Sequence, residues 1–188
     1  MILDFLNQLD VQLFLFFNVG LANPVFDAVM PVITNKTTWF PLWAVLIVGL
    51  VWKGGRKGRW VVFIALLTVL TADQVVNQLL KPWFGRVRPC IAVEGAHLLI
   101  GKKHSFSMPS SHAANFFAVA TVFSYYYSRY KIIYWFFAVL VAYSRIAVGV
   151  HYPFDVLAGA LAGLGFGRLW IYIFSYRLKP TGLEDHHF

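Results

Sequence analysis

Ser144, Arg145, His151 and Asp155 place a hydroxyl, a guanidinium, an imidazole and a carboxylate within twelve residues, SRIAVGVHYPFD, where apolar sequence ends. Histidine is the side chain best suited to attack or to shuttle protons near neutral pH, and a carboxylate four residues on could fix its tautomer and support the imidazolium. Arg145 adds a planar fork of donors suited to phosphate oxygens. Groups of this kind also cap helices or pair with one another, so the chemistry depends on partners elsewhere in the chain.

Two further clusters supply them. In KPWFGRVRP, Lys81 and Arg88 sit on a stretch stiffened by proline, where two cations could hold anionic oxygens from two directions. Taken alone, such residues commonly just meet lipid headgroups. In MPSSHAANFFA, Pro109, Ser110 and Ser111 read as a helix start, with hydroxyls and free backbone N–H groups able to hold an anion. Helix capping accounts for the proline and serines but leaves His112, within the first turn, without a reason. Together the clusters suit phosphoryl transfer without a metal. Lys81, Arg88 and Arg145 would offset charge on the phosphoryl oxygens, helped by Ser110 and Ser111. One histidine would attack phosphorus and the other protonate the leaving oxygen. Zinc is disfavoured, because Glu94 and Asp155 are the only carboxylates within or between the clusters and no histidine pair has ligand spacing.

The elements that must position these groups are membrane helices. Of 188 residues, 59% are hydrophobic and only 13% charged, far more apolar than a soluble domain requires. The length suits one membrane-embedded domain over residues 1–188, an all-α polytopic bundle of about six transmembrane helices. Residues 37–52, 60–80, 111–127, 132–150 and 154–176 read as spans. Residues 1–35 are apolar but interrupted by Asn18, Asn23, Pro24, Asp27 and Pro31, which points to short or tilted helices rather than one clean span. Asp73, Gln74, Asn77 and Gln78 face a polar region or the bundle interior. Gly159, Gly163, Gly165 and Gly167 give the last helix a small-residue face for close packing. The single cysteine, Cys90, reads as a small structural residue. The opening MILDFLNQLD lacks the pattern of a secretory signal, so insertion is expected to rely on the spans themselves.

The net charge of +8 is carried in short clusters between apolar runs, which favours lipid headgroups and orientation signals over nucleic acid. If each run from residue 37 onward crosses once, Lys53, Arg56, Lys57, Arg59, Arg129, Lys131, Arg177 and Lys179 share one side. The positive-inside rule makes that side cytoplasmic and puts all three polar clusters on the opposite face.

The motifs resemble those of the type 2 phosphatidic acid phosphatase superfamily of membrane lipid phosphatases, whose signature is Lys-x6-Arg-Pro, Pro-Ser-Gly-His, then Ser-Arg-x5-His-x3-Asp. Here these are Lys81 to Pro89, Pro109 to His112, and Ser144, Arg145, His151 and Asp155, with all spacings and their order in agreement. Ser111 departs from the signature glycine. The resemblance implies a six-helix bundle, His151 as the nucleophile forming a phosphohistidine, Asp155 orienting it and His112 as the acid for the leaving group. Lys81, Arg88, Ser110, Ser111 and Arg145 would bind phosphate, with no cofactor or metal. His97, His104, His186 and His187 match no motif position, and Arg86, Lys102 and Lys103 read equally as headgroup contacts or as a solvated loop.

The expected function is an integral membrane phosphatase removing the terminal phosphate of a lipid at the periplasmic or extracytoplasmic face of an inner membrane. Undecaprenyl diphosphate, phosphatidylglycerol phosphate, phosphatidic acid and lipid A 1-phosphate are the candidates, and short loops mildly favour a polyprenyl diphosphate or a broad range. The competing class is a transporter or lipid-binding protein that holds phosphate without cleaving it. A phosphatase for a soluble ester would share the chemistry and differ only in access.

Overall fold

Helix boundaries follow the asparagine, proline and glycine punctuation. The computed structural model describes residues 2–178 and contains no strand among them. The first helix, α1 (Ile2–Leu15), continues through a wider π turn to Gly20. Asn23 then caps α2 (Pro24–Thr34), its Oδ1 accepting from the N–H groups of Val25 and Phe26 at 3.1 and 3.0 Å, with Pro24 at the first helical position. Asn35 caps α3 (Lys36–Lys53) in the same way. Next comes α4 (Gly55–Gln74), which runs through a π turn at Val75–Leu80 into α5 (Lys81–Phe84) and stops at Gly85, whose φ of 58° lies in the left-handed region that glycine adopts freely. A short α6 (Pro89–Ala92) opens the polar loop, and α7 (Ser111–Tyr126), α8 (Lys131–Ala147) and α9 (Pro153–Phe174) complete the chain.

Among the described residues four helical runs are long and apolar enough to cross a bilayer, Ile2–Gly20, Gly55–Ala92, Ser128–Ala147 and Pro153–Phe174. With α3 and α7 packed among them, the described residues form an all-helical bundle of about six long helices, as expected. As the sequence suggested, residues 1–35 are not one span, since the chain breaks before the short α2, but Ile2–Gly20 on its own is a continuous helix of spanning length. The interruptions have structural work. Asn18 in the π turn donates to the carbonyls of His97, Ile146 and Ala147 at 2.9, 3.1 and 2.9 Å and accepts from His97 N–H at 2.8 Å, tying the polar loop to the end of α8. Asp27 pairs with the His97 ring at 3.0 Å.

Helix α7 is the centre of the bundle, packed most extensively on α9 and then on α8 and α4. Its alanines Ala113, Ala114, Ala118 and Ala120 are buried. The facing stripe on α9 is glycine. A Cβ on Gly159 or Gly163 would lie far inside van der Waals contact with the carbonyl oxygen of Ser110 or Ala114, and one on Gly167 would crowd Thr121. Gly165 faces open space and takes no part. Around this axis the outer faces stay apolar, with Val45, Trp52, Ile132 and Phe136 all well exposed, as lipid contact requires.

The bundle has two unlike ends. Leu50 of α3, Val61 of α4, Phe123 and Tyr127 around the end of α7, and Phe174 of α9 share one cluster, which gathers the α3–α4 and α7–α8 turns. Lys57 lies over the Tyr127 ring there, at 5.2 Å. The three polar motifs meet at the other end. Lys179, His186 and His187 lie outside the described residues.

If backbone approach is what sets the α7–α9 distance, Gly163→Leu costs about 1–3 kcal/mol through overpacking and lowers the thermal midpoint in detergent. Gly165→Ala, on open space, stays within about 0.5 kcal/mol of the parent. Equal behaviour of the two variants would show that the glycines do not set the packing.

Candidate active site

At the polar end, residues separated by up to 74 positions converge because the starts of α7 and α9 are tied to each other. The N–H of Ser110 donates to the backbone carbonyl of Asp155 at 2.9 Å. This fixes the helix start carrying Ser110, Ser111 and His112 beside the one carrying Asp155. Asp155 occupies the first turn of α9, where its Oδ2 accepts from Tyr152 N–H at 2.9 Å, a capping contact that also suits the positive end of the helix.

His151 is 2% exposed and stands between a cation and this carboxylate. Arg88 Nη1 lies 3.0 Å from its Nε2, and Asp155 Oδ2 lies 3.5 Å from its Nδ1. A guanidinium can only donate, so Nε2 must be the acceptor and the ring proton sits on Nδ1, which is buried without a hydrogen-bond partner and has Asp155 as its carboxylate neighbour. The lone pair on Nε2 therefore points at the cationic pocket. Burial, then the positive charges of Arg145, Arg88 and Lys81, hold the imidazole well below the ordinary histidine range, against an opposing contribution from the Ser107 carbonyl. All three cations act on this one ring.

Each cation is buried, with Lys81 at 8%, Arg88 at 4% and Arg145 at 5% exposure, and none is held by a carboxylate within ion-pair distance among the described residues. Arg88 is fixed by oxygen acceptors of the polar loop, the Ser105 carbonyl at 2.7 Å, Ser105 Oγ at 3.0 Å and the Phe106 carbonyl at 3.1 Å, and by the Val150 carbonyl at 2.9 Å. Arg145 donates to the Thr34 hydroxyl at the end of α2, and its Nε is buried without a partner. Ser110 Oγ is buried and unpartnered, available to an incoming oxygen. Ser111 Oγ instead donates to Asn77 Oδ1 at 2.7 Å in the α4 π turn, so its hydroxyl proton is already committed.

All eight residues expected from the sequence lie at this end: Lys81, Arg88, Ser110, Ser111, His112, Arg145, His151 and Asp155. Asp10, Thr34 and Ser107 belong to the surroundings and were not expected there, Asn77 faces the polar interior as its position suggested, and Arg86 sits inside the cluster rather than at a headgroup or in solvent. A carboxylate in the middle of an apolar helix was the available signal for Asp10. Thr34 and Ser107 carry no motif signal. Lys102, Lys103 and His104 are exposed. Among the described residues no group of three or more His, Cys, Asp or Glu side chains gathers as a metal site would need.

The family model of the PAP2 superfamily matches residues 62–179, which contain the three motifs. The chain belongs to the PAP2 superfamily. Within it, this chain is 35% identical to a lipid A 4′-phosphatase of Bacteroides thetaiotaomicron, over 97% of this chain and 84% of that protein. The crystal structure of a PAP2-type phosphatidylglycerolphosphate phosphatase from Bacillus subtilis superposes with a TM-score of 0.71 at 28% identity, covering 94% of this chain and 89% of that one. That of Aquifex aeolicus LpxE gives 0.69 at 29% identity, covering 87% and 95%. PAP2 membership thus accounts for motif order and bundle together, and α1 to α3 lie outside the matched stretch.

Because the folded protein keeps His151 neutral where an unfolded chain would protonate it, this residue lowers stability as pH falls below about 6.5 and has no such effect above. Ring-15N NMR of histidine-labelled protein in nanodiscs, with the signal assigned by its loss in His151→Gln, should show a neutral, Nδ1-protonated ring from pH 7 to pH 5. An imidazolium spectrum within that interval contradicts the buried, cation-flanked setting.

Proposed function

We propose that this chain is a single-domain, multi-pass lipid phosphatase that removes a terminal phosphate through a phosphohistidine on His151, without a metal. The observation that carries the lipid part is an apolar cavity of about 380 Å³ between α3, α4 and α7. Trp39, Phe40, Trp43, Leu66, Val69, Phe116 and Val119 line it, and His112 and Asn115 stand at its polar end. That volume falls within the range of about 300–1,000 Å³ usual for ligand pockets. A soluble ester has no use for such a wall, whereas the leaving group of a lipid phosphate carries its tail to the side where His112 sits.

The steps follow from the residues. Lys81, Arg88 and Arg145, with Ser110 and the first-turn N–H groups of α7, hold the nonbridging oxygens and offset charge that builds in the transition state. Arg88 exchanges its contact with His151 Nε2 for a phosphate oxygen, freeing the lone pair. A monoprotonated phosphate hands its proton to His112 on binding; Nε2 attacks phosphorus, the bond from phosphorus to the lipid oxygen breaks, and the His112 imidazolium gives that oxygen the proton. Asp155 stabilises the positive charge left on the imidazole. Water then attacks the phosphohistidine with His112 as base, inorganic phosphate leaves, and both histidines return to their starting forms.

Similarity along almost the whole chain to a lipid A 4′-phosphatase favours a phosphorylated glycolipid of that class as substrate, ahead of the polyprenyl diphosphate that short loops suggested. The polar end faces the extracytoplasmic side of an inner membrane, since Lys53, Arg56, Lys57, Arg59, Arg129 and Lys131 belong to turns at the other end.

Purified protein in EDTA should release phosphate from a lipid A-type monophosphate, and His151→Ala should abolish release while Lys57→Ala leaves it unchanged. Label from radioactive substrate should be trapped on His151 in acid-quenched protein; stoichiometric binding without label on the histidine would instead indicate a carrier. Val119→Trp, which fills the cavity, should lower kcat/KM for long-chain lipids roughly tenfold or more, about 1.4 kcal/mol of lost tail burial, and spare a short-chain phosphate ester. Equal losses for both substrates would remove the cavity from the tail-binding role.

A further inference from the structure

One buried ionic cluster is not consumed by the reaction. Asp10 is fully buried although it sits midway along α1, whose other residues mostly face outward. Its Oδ1 accepts from Phe154 N–H at 2.9 Å, at the start of α9. Its Oδ2 accepts from Arg86 Nη1 at 2.6 Å, and the same Nη1 donates to Asp155 Oδ1 at 2.8 Å. Arg86 Nη2 reaches Asn7 Oδ1 at 3.1 Å, while the guanidinium stacks over the Tyr152 ring at 3.9 Å. The backbone carbonyl of Arg86 also accepts from Ser107 N–H at 2.8 Å. Arg86 is therefore a junction rather than a headgroup contact or a solvated side chain.

We propose that Arg86, oriented by Asp10 of α1, is a positioning residue for phosphoryl transfer. It fixes one oxygen of Asp155 so that the other faces His151 Nδ1. This rests on the role of His151 given above. Three features support a positioning role over simple charge pairing. Asp155 has one oxygen for Arg86 and the other for Tyr152 N–H, which together leave its carboxylate no free rotation about the line to His151. Arg86 is the cation paired with the two buried carboxylates, whereas Lys81, Arg88 and Arg145 face the phosphate pocket without such partners. Asp10 comes from α1, so the N-terminal helix reaches the site through a charged side chain rather than only packing beside it. Two carboxylates around one guanidinium leave an excess negative charge beside His151, which favours the cationic imidazole formed during transfer.

The test uses the full chain in nanodiscs with a lipid phosphate that the parent hydrolyses. Asp10→Asn keeps an acceptor for Phe154 but removes the charge that steers Arg86. It should lower kcat roughly tenfold, and Arg86→Gln roughly a hundredfold, with KM within twofold, as expected for a misplaced catalytic group. Inhibition by inorganic phosphate should stay within twofold, because the phosphate-holding cations are untouched. The His151 Nδ1 resonance should shift in Arg86→Gln, because the carboxylate beside it moves while Arg88 still holds Nε2, and Arg86→Lys, which cannot bridge both carboxylates, should not restore the rate. Wild-type kcat in Asp10→Asn overturns the proposal. So does a parallel loss of rate and of phosphate inhibition, which marks a purely structural cluster. Activity surviving in His151→Ala would instead overturn the reading of the nucleophile, whatever Arg86 does.

Discussion

Cations held away from water without carboxylate partners are the constraint on which this site depends. Removing a guanidinium from water costs several kcal/mol unless other groups replace its hydration. Here loop carbonyls and hydroxyls do so for Arg88, and the hydroxyl of Thr34 does so in part for Arg145. Such neutral acceptors satisfy hydrogen bonds but leave the charge uncompensated. The pocket is therefore electrically incomplete until an anion arrives. A nearby carboxylate would have made the empty protein more comfortable and the anion less welcome, and Asp10 and one oxygen of Asp155 are turned toward Arg86 instead.

Positioning these charges requires a rigid framework at the membrane edge. The close approach of α9 to α7 provides it, since glycines on one helix lie against main-chain oxygens of the other. That contact leads directly into the hydrogen bond from Ser110 to the Asp155 carbonyl, so the anion-holding helix start and the histidine-orienting carboxylate move as one unit. The polar loop is secured separately, by Asn18 against the end of α8 and by its own carbonyls on Arg88. The site thus draws on helices from both ends of the sequence.

Much of this was legible in the residues. Lys81, Arg88, His112, Arg145, His151 and Asp155 are chemically conspicuous in so apolar a chain, and their spacing forms a signature. The helix bundle was equally visible, because runs of apolar residues leave little alternative in lipid. What escaped notice depends on contacts between distant segments. Arg86 looks like any loop arginine until Asp10, 76 positions away, is seen against it. Thr34 has no local signal, since its hydroxyl matters only because Arg145 reaches it. In the first 35 residues the break before α2 was legible at Asn23 and Pro24, whereas Asn18 counts as a defect in a lone helix and as a joint in a packed one.

The pairing of Ser111 with Asn77 has a consequence for transplanting parts between relatives. Where the family signature has glycine, this chain has a hydroxyl whose partner sits in the widened turn of α4. Exchanging only the signature segment would leave a half-buried amide oxygen stranded in one chimera and a hydroxyl in the other. The two positions behave as a matched set, and the compatibility unit for recombination reaches beyond the motif into the helix before it.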